Sequence, residues 1–204
     1  MALNPSTRDK LKSVGSAAVA AALSKRGLPD RRLAGLRPLA PMQDPLIGEA
    51  CTAIEHCRAG AVLVVEAGKP LPPMALLARR GVAGIVSAGP LREQVEIVRR
   101  GLPAYQPAAY QPAAYPPAAY PPPGGLTKPL PVSTGDVLVG DRQGVVVIPA
   151  HLADEIAEEA AEALAFEAFT AEQVDAGGGV YGLHIASGEQ ARIAFAAWRK
   201  LRGR

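Results

Sequence analysis

The chain has 204 residues, 49% hydrophobic and only 4% aromatic, and its 22 Lys and Arg against 19 Asp and Glu leave a formal charge of +3. That length and apolar fraction predict one packed core with room for appendages, filled mainly by Ala, Val and Leu. So even a charge balance excludes a dedicated nucleic-acid surface, and the longest apolar runs, Ala17 to Leu23 and Ala61 to Val65, are far too short to span a bilayer.

Two cysteines, Cys51 and Cys57, do not amount to a disulfide framework, and the N-terminus Met1-Ala-Leu-Asn-Pro-Ser-Thr-Arg8 has no apolar signal core. A reducing, cytoplasmic setting is the expectation. The basic tail from Arg199 to Arg204 reads as a solvated end.

In chain order, Thr7 to Arg26 reads as a helix on the spacing of Leu11, Val14, Ala18 and Ala22, closed by Gly27. Gly35 to Pro45 is loop, Leu46 to Ile54 a strand, and Ala61 to Glu66 a short apolar strand of the kind covered on both faces. Met74 to Arg80 is a short helix and Ala83 to Ser87 another buried strand. Pro90 to Arg100 is helical, with Leu91, Val95 and Val98 on one side.

A five-residue repeat then runs four times from Ala104, placing tyrosines at Tyr105, Tyr110, Tyr115 and Tyr120. Proline fixes φ and removes a donor, so residues 104–125 are expected as an extended or disordered low-complexity loop. It serves either as filler or as a docking strip for an aromatic-lined groove of a protein partner. Asp136 to Val139 and Gly144 to Ile148 read as a hairpin around Asp141-Arg-Gln-Gly144. His151 to Phe169 is a helix with Leu152, Ile156, Ala160 and Leu164 on its apolar stripe. Gly177-Gly-Gly179 breaks the chain, and Glu189 to Leu201 is a last helix packing through Ile193, Ala197 and Trp198. Short buried strands with flanking helices predict a single α/β domain over residues 1–204, with residues 170–204 as a C-terminal helical extension.

Chemistry is sought where apolar strands end at glycine and then present charge. After Gly84-Ile-Val-Ser-Ala-Gly89, the side chains offered are Arg92 and Glu93, a cation beside a carboxylate. The plain alternative is that both are first-turn residues of the following helix, Glu93 favoured there by the helix dipole. Other candidates are weaker. Cys51, His56 and Cys57 lack a fourth zinc ligand. His151 and His184 have no Ser or Cys beside an orienting acid. Asp136 and Asp141 follow glycine and suit turns, and Gly177 to Gly179 is not placed as a phosphate loop.

The segment Thr134-Gly-Asp-Val-Leu-Val-Gly-Asp-Arg-Gln-Gly-Val-Val-Val-Ile-Pro149 and the helix after it resemble the closing part of the RraA-like family. That family includes the 4-hydroxy-4-methyl-2-oxoglutarate aldolases and the regulators of ribonuclease E activity. Lys10 to Gly27, Leu36 to Thr52 and Gly81-Val-Ala-Gly-Ile-Val-Ser-Ala-Gly-Pro-Leu-Arg-Glu93 resemble its other stretches, the last of them its Gly-Val-Ala-Gly-Val-Val-x-Asp-Gly-x-x-Arg-Asp motif. The resemblance implies a layered β/β/α fold of the swivelling-domain type. It implies a metal-dependent lyase that cleaves a small 2-oxo acid to pyruvate, with oxaloacetate decarboxylation as a side activity. It further implies Mg²⁺, or Mn²⁺, at Glu93, substrate at Arg92 and Gly89, Arg92 as the catalytic group, and a homo-oligomer, trimer or hexamer.

The departures fall on working positions. Glu93 and Ala88 stand where the family has Asp, and Pro70, Pro72 and Pro73 occupy the loop whose N–H groups bind the substrate carboxylate. A non-catalytic binding protein like the ribonuclease regulators is therefore the rival reading.

Overall fold

The computed structural model describes residues 3–28, 31–108, 130–175 and 189–202. Two compact units, residues 1–160 and 161–204, divide it. The first unit contains helices α1 (Pro5–Lys25), α2 (Met74–Arg80) and α3 (Gln94–Arg99) and the start of α4 (Ala153–Asp175). Its strands are β1 (Leu36–Pro38), β2 (Leu46–Cys51), β3 (Val62–Val65), β4 (Gly84–Ser87), β5 (Ala104–Pro107), β6 (Val137–Asp141) and β7 (Gly144–Ile148). They form one sheet in the order β1-β5-β4-β3-β2-β6-β7. β2, β3, β4 and β5 run parallel, while β1, β6 and β7 pair antiparallel with their neighbours. The segment leading into β1 lies on β7, through Leu33 N–H to the Val145 carbonyl (2.8 Å) and Val147 N–H to the Arg31 carbonyl (3.0 Å). The sheet is thereby nearly closed on itself.

Closure explains why the strands read as continuous apolar runs: both faces of the sheet are covered. Leu46, Val62, Val64, Val86, Tyr105, Leu138 and Val147 fill the interior. The outward-facing residues divide between two helical layers. Ile47, Val139, Val146 and Ile148 pack under α1 and α4. Leu63, Val65 and Ile85 pack under α2 and α3 with Leu77 and Ile97. The interior is tight enough to require glycine in the strands. A Cβ on Gly140 would come within 2.9 Å of the Tyr105 ring, and one on Gly84 within 2.7 Å of the Pro103 carbonyl.

The hairpin β6–β7, helix α2 and the parallel strands β2, β3 and β4 lie where the sequence predicts them, and five other expectations need correction. The first Tyr–Pro copy is not loop: Ala104–Pro107 is β5, hydrogen-bonded between β1 and β4. Its proline is harmless because Pro107 is the last residue of the strand. Residues 109–129, with the later copies, lie outside the described residues. Gly35 to Pro45 is not all loop, since β1 falls inside it. α3 begins at Gln94 rather than Pro90, and Val95 (84% exposed) and Val98 face outward while Ile97 is buried. The first helix is interrupted: Gly15 has φ +74°, and Ser16 restarts the turn by donating its N–H to Asp141 Oδ2 (2.7 Å).

Cys51 and Cys57 are the fifth correction, because they are joined as a disulfide. The chain folds back through a one-turn 3-10 helix, Ile54–His56, which brings the two Cα atoms to 5.5 Å, inside the range a disulfide bridges. The sulfurs are therefore not zinc ligands. Closing so short a loop is worth about 2 kcal/mol by the chain-entropy relation. Urea unfolding with and without a dithiol reductant is expected to show an unfolding free energy lower by that amount after reduction, and the same loss in Cys51→Ser without reductant.

In the second unit, α4 beyond residue 160 packs against α5 (Glu189–Leu201) through Phe166, Phe169, Phe195 and Trp198. The Trp198 indole donates to Glu172 Oε2 (2.7 Å), and Arg202 lies over the Trp198 ring. The packing face of α5 is thus Phe195 and Trp198, whereas Ile193 is 64% exposed and Ala197 exposed too. Leu164 of the predicted α4 stripe is likewise exposed, at 40%. No helix among the described residues is long and apolar enough to cross a membrane.

Candidate functional site

The parallel strands β3, β4 and β5 are joined by crossover helices on one outer face, so the loops after β3 and β4 emerge together at the carboxyl edge of the sheet. A cleft of about 660 Å³ opens there. One wall is the loop after β3, from Glu66 to Leu71, and the other is the loop after β4, from Gly89 to Glu93. All three predicted site residues, Gly89, Arg92 and Glu93, line it.

The β4 loop is held rigidly from beneath. Ala88 N–H donates to the Val65 carbonyl (2.8 Å) and Gly89 N–H to Ser87 Oγ (3.2 Å). Leu91 is pinned three ways: its N–H donates to Gln106 Oε1 (2.9 Å), its carbonyl accepts from Gln94 Nε2 (2.9 Å), and its side chain is buried in the core. Arg92 and Glu93 follow immediately, and both are exposed. Neither side chain has an ion pair or hydrogen-bond partner among the described residues. Glu93 occupies the N-cap position of α3, yet its carboxylate makes no capping bond. Both charged heads face solvent at the start of α3.

The facing loop carries a second pair of charges, Lys69 and Glu66, 3.0 Å apart and well exposed. Gly68 (φ +79°) makes the turn between them, with Lys69 N–H donating to the Glu66 carbonyl (3.2 Å). Beyond it Pro70, Pro72 and Pro73 offer no N–H to an anion. Gly89 N–H is engaged by Ser87, and Ala88 is buried outside the cleft lining. The cationic side chains lining the cleft are Arg92 and Lys69, the second of them paired with Glu66.

The remaining candidates are not brought to this cleft. His56 and His151 are exposed elsewhere, and His184 and Gly177 to Gly179 lie outside the described residues. Asp136 accepts from Ser133 N–H (2.9 Å), and Asp141 from Ser16 and from Gln143 N–H (2.8 Å), so both are turn and cap residues. Ser87, Gln94 and Gln106, which hold the loop, escaped the sequence reading. Gln106 was hidden inside a repeat whose prolines signal loop.

The comparisons agree on the fold. The RraA-like family model (Aldolase/RraA) matches residues 17–147, more than half of the chain and all of the cleft. No match is found among curated proteins. Among solved structures, an uncharacterized protein from Pseudomonas syringae pv. tomato aligns at TM-score 0.65 and 20% identity, covering 91% of this chain and 100% of that one. Streptomyces coelicolor RraAS2, described as an unusual member of the RNase ES inhibitor RraA family, aligns at TM-score 0.62 and 24% identity, covering 83% and 98%. At those identities the likeness is one of fold. With the matched family model and the strand–glycine–charge loops now placed around one cleft, the chain belongs to the RraA-like family.

Proposed function

We propose that the chain is a divalent-metal-dependent lyase that cleaves a small 2-oxo acid to pyruvate, with oxaloacetate decarboxylation as the related activity. The observation that carries the reading is the pair Arg92 and Glu93: adjacent in sequence, both lining one cleft, both with heads unpartnered among the described residues. The cleft volume suits a small keto acid with room for water.

Among the described residues no three His, Cys, Asp or Glu side chains gather into a metal cage. A lone exposed carboxylate at Glu93 fits instead a hard cation that keeps most of its water, Mg²⁺ or Mn²⁺. When bound, such a cation supplies Lewis-acid polarisation of the keto oxygen. Arg92 offers a planar fork to the substrate carboxylate, which fixes the keto acid at Glu93 and stabilises negative charge as the carbon–carbon bond breaks. Leu91, clamped on both backbone atoms, keeps these two residues from drifting. A homo-oligomer, trimer or hexamer, belongs to the same reading, because a neighbouring subunit over the exposed pair would exclude water and strengthen each contact.

One feature supports a second reading, a binding protein without turnover, in keeping with the RNase ES inhibitor family to which RraAS2 belongs. The proline-rich wall after β3 removes N–H groups that would otherwise hold a carboxylate. A lactate dehydrogenase-coupled assay for pyruvate, run with and without Mg²⁺ on aldol substrates and oxaloacetate, separates the two. Mg²⁺-dependent release supports the lyase, and no release from any substrate supports the binding protein.

A further inference from the structure

We infer that Gln106, the third residue of the first Tyr–Pro copy, is a positioning residue for the Arg92–Glu93 pair; this rests on the lyase reading above. Strand alternation does the placing. In β5, Tyr105 turns into the barrel interior, so Gln106 turns to the outer face, where the loop after β4 crosses. Its side chain is 94% buried (6% exposed) and its Oε1 accepts the Leu91 N–H at 2.9 Å. Gln94 holds the Leu91 carbonyl from the other side.

A buried amide N–H without an acceptor is costly, so the loop stays where Gln106 satisfies it. Arg92 is the next residue along. The guanidinium and carboxylate that meet substrate make no hydrogen bond or ion pair of their own among the described residues, so their placement is inherited from this backbone anchor. Displacement of a reacting group by about 1 Å costs on the order of 10²-fold in rate. The repeat is thus tied into the site through one residue, although the rest of it is read as low-complexity sequence.

The test uses the full chain in three forms: wild type, Gln106→Met, which keeps the shape but removes the acceptor, and Gln106→Glu, which keeps an oxygen facing Leu91. Hydrogen exchange at the Leu91 amide and steady-state pyruvate release at varied Mg²⁺ are measured together. Gln106→Met is expected to speed Leu91 exchange, lower kcat about 10-fold or more, and raise the Mg²⁺ midpoint, with exchange in β6 and β7 unchanged. Gln106→Glu is expected to recover Leu91 protection and most of the rate. A merely structural role would lower stability alone, and kcat and the Mg²⁺ midpoint would not move. Leu91 exchange equal to wild type in Gln106→Met, or faster exchange with unchanged kcat and Mg²⁺ midpoint, overturns the positioning role alone. A wild type that releases no pyruvate and binds none by calorimetry overturns the lyase reading and this inference together.

Discussion

Arg92→Ala is expected to lower kcat/KM for pyruvate release by about 10²- to 10³-fold, or roughly 3–4 kcal/mol of transition-state stabilisation. The loss should fall on both kcat and KM, because the same guanidinium holds the ground-state carboxylate and the charge that develops from it. Arg92→Lys keeps a cation but gives up the planar fork, so it should recover only part of the rate. Arg92 is exposed and bonded to nothing in the described chain, and the unfolding free energy of both variants should stay within about 0.5 kcal/mol of wild type. Equal activity in Arg92→Ala and wild type, with Mg²⁺ dependence intact, would remove Arg92 from the mechanism.

Tyr105→Ala carries the largest expected cost in stability, about 3–5 kcal/mol, as for other large aromatic side chains deleted from a core. Its ring is fully buried in the barrel interior against Gly140, and its hydroxyl donates to the Asp141 carbonyl (3.1 Å). Denaturant unfolding measures this directly; a loss under 1 kcal/mol would mean that β5 is not the strand described. Burial also pushes the Tyr105 hydroxyl from its usual value near 10 up to about 12, with the neighbouring Asp141 charge adding to the effect. The native state therefore holds this proton more tightly than the unfolded chain. The stabilisation is complete below pH 10 and is lost as pH rises from 10 to 12, by up to about 2–3 kcal/mol. Tyr105→Phe should remove that part of the alkaline fall while keeping most of the packing.

Tyr105 also shows where sequence reading failed. Ala-Tyr-Gln-Pro is a strand by position and a polyproline segment by composition, and only the sheet decides between them. The register that pairs Pro107 with Leu36 at the strand end, with a gap over Gly140 to receive the ring, involves residues far apart in the chain. α3 failed for a related reason. Val95 and Val98 have the right spacing for a buried stripe, but the helix offers Ile97 to the core instead, and with only six residues one turn cannot fix its own face. By contrast β6 and β7 were legible because Asp141-Arg-Gln-Gly144 is a local turn with Gly144 at φ +125°. The Arg92–Glu93 pair was legible because a short apolar strand ending in glycine announces a loop at a sheet edge. The residues that hold that loop, Gln106 above all, come from a different strand and leave no local mark.

The pair Arg92 and Glu93 is proposed to grip a keto acid and a cation together, and linkage makes that directly measurable. Isothermal titration of pyruvate into the protein, with and without saturating Mg²⁺, should show each ligand tightening the other by the same factor, about 10-fold or more. Glu93→Gln should abolish the mutual effect and leave weak pyruvate binding through Arg92. Pyruvate heats identical in the presence and absence of Mg²⁺, or no heat from either ligand, would contradict it.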